Sequence, residues 1–186
     1  MAAKNSLPSI SRYITTHSAS GKSRFDETIP PKALWRHVPE ASFFLAYTTK
    51  SFPVTIGDDA DLDDYTNAFA SPPKVTVSGG TVLRVMDIGP GVSSPMHRTV
   101  SLDYSIVLEG EVELELDSTE TMIMRRGDIC VHRATNHAWR NVSQTEWARV
   151  VLVYLDAEKP VVEGRELGES IQGIDVFPES NESVNE

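Results

Sequence analysis

Apolar and polar positions along this chain change spacing at about residue 80, and the second part reads almost entirely as strand. Thr81 to Ile88 and Tyr104 to Leu108 are short runs rich in β-branched, aliphatic and aromatic residues, each followed by glycine within two residues. Glu111 to Asp117 alternates acid and aliphatic with period two, which predicts Val112, Leu114 and Leu116 on a buried face and Glu111, Glu113 and Glu115 in water. Thr121 to Arg126 reads as its hairpin partner. Arg149 to Leu155 is apolar on both faces, so the sequence asks for cover on the outer side from the N-terminal segment or from another subunit.

The first part is punctuated by Pro30-Pro31, by the acidic stretch Gly57 to Asp64 and by Ser71-Pro72-Pro73. Between them Arg12 to Thr16 and Phe43 to Thr49 have strand composition, and Asp61 to Phe69 suits a helical turn. Many short strands, tight turns and almost no helix predict an all-β, closed or double-sheet architecture. The expected division is an N-terminal extension over 1–75 that packs on the barrel, a barrel over 76–159 and an acidic, partly mobile tail over 160–186. No internal repeat is visible, so one barrel per chain is expected.

Composition narrows the function classes. The 186 residues suit one domain, no apolar run is long enough to cross a bilayer, and the first 13 residues do not read as a secretory signal, so a cytoplasmic location is expected. The single cysteine, Cys130, excludes an internal disulfide and sits in an apolar strand as a buried thiol. A net charge of −10 disfavours nucleic acid and anionic membranes as partners. From Pro160 onward there are seven acidic residues and one basic, Arg165, which is the composition of a solvated tail.

Two spaced motifs carry the chemistry. Gly91, His97, Thr99, Asp103 and Gly110 fit the spacing G-x5-H-x-H-x3-E-x6-G, and Gly127-Asp128 with His137 and Asn141 fits G-x5-P-x-G-x2-H-x3-N one residue short, with His132 where proline is usual. These strings resemble the two cupin motifs. The resemblance implies a single RmlC-like jelly-roll barrel whose mouth holds the histidines and the carboxylate, and a metal site of three His and one Glu around Fe, Mn, Ni or Zn. Here Thr99 stands for the second His and Asp103 for the Glu, so a two-His, one-carboxylate set of His97, His137 and Asp103 implies a weakly held Fe or Zn, or none.

The strings His97 to Tyr104, Leu108 to Val112 and Asn136 to Asn141, with Ile14 to His17 and Gly21-Lys22, are similar to small single-domain cupins of fungal polyketide gene clusters, described as cupin-domain oxidoreductases or tailoring proteins. That resemblance implies secondary-metabolite tailoring of a phenolic or carbonyl-bearing small molecule. The catalytic candidates are His97, His137 and Asp103, because imidazole titrates near neutrality and two of them can serve as acid and base. Thr99, Tyr104, Arg84, His132 and Trp139 are candidates for the substrate pocket. His132 either reaches the same cavity or points outward, and His17 and His37 read as solvated or structural.

Three functions compete: a cupin-type oxidoreductase, a cofactor-free lyase or isomerase (dehydratase, decarboxylase or cyclase), and a non-catalytic binding protein for a reactive intermediate. No nucleotide-binding glycine fingerprint is present, so a redox reading does not rest on NAD or flavin. The expected partners are a small-molecule substrate, other pathway enzymes and a second copy of the chain, in a homodimer that uses Arg12 to Thr16.

Overall fold

The computed structural model describes residues 5–170. Its elements run β1 (Thr15–His17), β2 (Ser23–Phe25), β3 (Trp35–Val38), β4 (Ala41–Thr49), α1 (Ala60–Ala70), β5 (Thr81–Ile88), β6 (Ser101–Glu109), β7 (Glu111–Leu116), β8 (Thr121–Arg125), β9 (Ile129–Arg133), β10 (His137–Asn141), β11 (Ala148–Asp156), β12 (Val161–Val162) and β13 (Arg165–Glu166). Two antiparallel sheets face each other: a large one in the order β3-β4-β5-β11-β6-β9 and a small one in the order β10-β7-β8. The all-β cupin architecture expected from the motifs is present. Gly110 turns β6 into β7 at φ +75°, and a Cβ there would stand 3.0 Å from the Cβ of Ala148.

Period two decides what faces inward. Met86, Val107, Val112, Leu114, Met124, Trp139, Val150 and Leu152 interdigitate between the sheets as the main core. Val112 and Leu114 are buried as their alternation requires, while Glu113 is half-buried and accepts from the Arg140 guanidinium across the β7–β10 ladder. Asn141 locks one corner by donating to the carbonyls of Ile88, Gly89 and Glu146 while its Oδ1 accepts from the Ser143 amide.

Several expected boundaries move. The strand expected over Arg12 to Thr16 forms at Thr15–His17, and Arg12 instead ties to the carbonyls of Pro30 and Pro31. The expected helical turn is an 11-residue helix that buries Leu62, Tyr65 and Ala68, with the Tyr65 hydroxyl donating to the Leu45 carbonyl. The 1–75 segment is not merely an extension, because β4 pairs along β5 and supplies, with β3, two strands of the large sheet. Nor is the tail free from residue 160: β12 pairs with β13, and the backbone of Ser170 bridges Arg98. Residues 171–186, where the rest of the mobile tail is expected, lie outside the described residues.

The outer face of the large sheet is covered on one half. Ile10, Ala33 and Trp35 pack over Phe44, Ala46, Val85 and Val151, so the N-terminal segment covers part of the outer face of β11. Beneath it Asp87 and Arg149, both almost fully buried, form a two-pronged ion pair at 2.6 and 2.7 Å. Arg149 also donates to the Pro8 carbonyl, Asn5 donates to Asp87, and the guanidinium lies 5.1 Å above the Trp35 ring. On the other half Tyr104, Leu108, Ile129 and Val131 are exposed.

Candidate functional site

Three imidazoles meet between the sheets. His97 belongs to the stretch that leads into β6, and its backbone exchanges hydrogen bonds with His137 on β10 (2.9 and 2.8 Å). This pairing sets the two rings 4.4 Å apart. His132, on β9, stacks on His137 with centroids 3.9 Å apart and an interplanar angle of 22°. Trp139 closes the apolar side, edge-on to both His132 and His137. His132 and His137 are buried and His97 is half-buried, so His97 stands at the mouth.

The protonation pattern follows from partners and burial. Nδ1 of His97 lies 2.9 Å from the Pro95 carbonyl and Nδ1 of His137 lies 3.0 Å from the Thr135 carbonyl. A carbonyl only accepts, so each Nδ1 carries the proton and each Nε2 keeps a bare lone pair. Burial lowers the pKa of all three rings. His137 is pushed down to about 3 by burial and by its two imidazole neighbours, and His132 to about 4 by burial and His97. For His97 burial also lowers the pKa, opposed by the Pro95 carbonyl. Desolvation and, for His132 and His137, repulsion by neighbouring imidazoles favour the neutral form of the cluster.

Asp103 lies opposite His132 in the β6–β9 ladder and opposite Tyr154 in the β6–β11 ladder, all on the inner face. Burial raises its pKa to about 6, against the Thr99 and Ser101 hydroxyls beside it. The Ser101 hydroxyl counters that rise, yet neither its Oγ nor Asp103 Oδ1 has a hydrogen-bond partner. Burial thus moves the Asp103 carboxyl up toward neutrality while it moves the imidazoles down. Tyr154, absent from the sequence candidates, has its pKa raised by burial and then by Asp103, so it stays a protonated phenol. Its signal was the period-two placement with Val150 and Leu152, obscured because both faces of that strand are apolar.

Of the expected pocket residues, Thr99, Arg84, His132 and Trp139 do face the interior. Arg84 is buried, with its pKa lowered to about 10 by desolvation, and it donates to the carbonyls of Pro73, Lys74 and Val75, pinning that loop to the barrel. Tyr104 does not join them. It follows Asp103 on a strand, so its side chain points to the outer face, 39% exposed. A cavity of about 230 Å³ lies elsewhere, under the N-terminal segment among Asn5, Pro8, Lys32, Trp35, His37 and Arg149. We place the chemistry at the histidines because the buried charges that line that outer cavity, Asp87 and Arg149, are already paired with each other.

A cupin metal does not fit the residues as they stand. Among the described residues no three His, Cys, Asp or Glu side chains are grouped to hold a metal ion, His97, His137 and Asp103 included. Thr99 occupies the position of one imidazole, and His132 cannot replace it. Imidazole lone pairs lie in the ring plane, and the nearly parallel planes of His132 and His137 share no nearby point at which one ion could bind both.

The family comparison agrees with this architecture. The cupin domain model matches residues 84–154. Oryzines biosynthesis cluster protein J of Aspergillus oryzae is 43% identical over 89% of this chain and 93% of its own length. The chain belongs to the cupins of fungal biosynthesis clusters. Phomopsin biosynthesis cluster protein C' of Diaporthe leptostromiformis is 46% identical over 84% of each chain, and the cupin-domain-containing oxidoreductase virC of Hypocrea virens is 42% identical over 81% of this chain and 77% of its own. Among solved structures, the cupin domain of Schizosaccharomyces pombe Cnp3 aligns over 79% of this chain and 88% of that one at 11% identity, with a TM-score of 0.48. No helix among the described residues is long and apolar enough to cross a membrane.

Proposed function

We propose that this cupin is a tailoring enzyme of fungal secondary metabolism that moves a proton on a carbonyl-bearing or phenolic small molecule at the barrel mouth. The observation that carries the reading is the pair of Nδ1–H bonds to the Pro95 and Thr135 carbonyls, which leave two neutral imidazoles with free Nε2 lone pairs in one water-poor interior. His97, half-buried at the mouth, is the base that meets the substrate. It takes a proton from the carbon beside the carbonyl, the C–H electron pair passes to the carbonyl oxygen, and Asp103 in its acid form returns a proton to that oxygen. His137 and His132 hold the geometry, and the apolar core around Trp139 keeps water out.

The names of the relatives support secondary-metabolite tailoring, and some carry the word oxidoreductase. A redox step needs an electron acceptor, whereas proton transfer needs only the side chains above. The test is conversion of the intermediate accumulated by a strain lacking this gene, using purified protein under anaerobic and chelated conditions, with elemental analysis before and after chelation. Conversion is expected to persist there; absolute dependence on oxygen and iron transfers the function to the oxidoreductase reading. Unchanged pathway output from a folded His97→Ala/His137→Ala protein would leave only a binding role.

A further inference from the structure

Eight buried side-chain polar atoms among the described residues have no hydrogen-bond partner, and four of them fall on one inner patch: Ser101 Oγ, Asp103 Oδ1, Ser105 Oγ and His132 Nε2. Ser101, Asp103 and Ser105 alternate along β6, so they form a stripe on the inner face, and His132 faces Asp103 from β9. All four residues are at most 3% exposed. The neighbours opposite Ser105 are Cys130 and Leu152, which offer a weak thiol and no polar atom respectively. Buried polar atoms are normally satisfied, and an apolar side chain would fill these positions without that cost.

We propose that this stripe is a hydrogen-bonding subsite, reaching inward from His97, that takes the hydroxyl group of a neutral aromatic ligand. The inference rests on the reading of the barrel interior as the substrate site and names what that site reads. The carboxylate Oδ1 of Asp103 only accepts and the Ser105 hydroxyl both donates and accepts, so the ligand group must donate to the first and can take either role at the second. A hydroxyl does so; an ether lacks the donor, and a carboxylate lacks it and sets a second negative charge against Asp103 in a poorly solvated interior. The half-buried His97 ring at the mouth gives the ring of such a ligand an aromatic neighbour.

The subsite is tested by 19F NMR titration of the full chain with 4-fluorophenol, 4-fluoroanisole and 4-fluorobenzoate, alongside thermal unfolding. The phenol is expected to bind at least tenfold more tightly than the other two. Ser105→Ala should erase most of that preference while leaving the unfolding temperature unchanged or higher, since it removes an unsatisfied hydroxyl; a merely structural serine would lower it. Asp103→Asn, which keeps the shape, should weaken the phenol preference as well. Equal affinity for the three probes, or a preference untouched by both substitutions, overturns the subsite. Because no turnover is read, that result leaves proton transfer at His97 standing, and an inactive protein that still selects the phenol separates the two in the other direction.

Discussion

The large sheet carries two buried aspartates within two strands of each other, and they differ in every respect except burial. Asp87 on β5 faces outward, is met by both prongs of Arg149 and by Asn5, and lies sealed beneath the N-terminal segment. Asp103 on β6 faces inward, has one oxygen without a partner and has a pKa pushed up to about 6. A buried charge whose lone pairs are all used holds chain segments together. One left incomplete and titrating near neutrality is a stored demand for a ligand or a proton, which is why the second marks the site.

The largest effect should come from breaking the complete pair. Arg149→Met strands the Asp87 carboxylate under the N-terminal segment, and the expected loss is about 3–5 kcal/mol in denaturant unfolding. The double variant Arg149→Met/Asp87→Leu should recover much of it, because the cost lies in the unpaired charge. A single variant within about 1 kcal/mol of the parent would mean that the segment is held by apolar packing alone.

The opposite sign is expected at the incomplete site. A carboxyl raised from 3.8 to about 6 by burial carries a penalty on its charged form of about 3 kcal/mol above that pH. Asp103→Asn should therefore stabilise the folded protein at pH 7 by about 1–3 kcal/mol while impairing catalysis. Equal or lower stability, measured by the same unfolding curves, would show that the carboxylate has found a partner in solution.

The pH profile sharpens the contrast. Asp103 binds its proton more tightly folded than unfolded, so its contribution is fully present below about pH 4 and is lost as pH rises through about 6. His132 and His137, lowered to about 4 and 3, act in reverse: the unfolded chain binds those protons first, and stability falls as pH drops from 6.5 toward those values. The two histidines outweigh the one aspartate. The parent should lose stability on acidification from pH 6 to 4, and Asp103→Asn should lose it more steeply, by about 1.4 kcal/mol per pH unit for the one missing proton. Parallel profiles would count against a raised Asp103.

How far the sequence foretold this contrast depends on the residue. Gly91, His97, Asp103, Gly110 and His137 were legible because tight turns and inward-facing side chains need fixed spacings, and the barrel followed from them together with strand alternation. His132 was ambiguous, since one missing residue in the second motif left its phase open until β9 paired with β6. Tyr104 suits a pocket by its aromatic ring, but the strand period that puts Asp103 inside turns it to the outer face. The Asp87–Arg149 pair was invisible, as its partners lie 62 residues apart and the seal over it comes from Asn5 and Pro8. Long-range satisfaction of a charge leaves no local pattern, whereas a turn or a strand does.

The smallest effect on stability belongs to the uncovered half of the same outer face. The segment that seals Asp87 stops short of Ile129 and Val131, which are 65% and 51% exposed beside Tyr104 and Leu108. The stretch around Arg12 is held by its own chain, Arg12 donating to the Pro30 carbonyl and lying over the Tyr65 ring, so the homodimer expected from the sequence should form on β6 and β9 and not through that segment. A twofold axis would lay this apolar patch against its copy, and the covered side chains would lend each subunit part of the roughly 800 Å² that a stable interface needs per partner. Val131→Lys, on an exposed strand, should change subunit stability by no more than about 0.5 kcal/mol. In light scattering at micromolar concentration it should nevertheless convert dimer to monomer, because two copies of the new charge would meet near the axis. If the unaltered chain is already monomeric there, the second copy is ruled out, and the sheet is asymmetric for another reason: its sealed half holds the fold, and its open half only tolerates water.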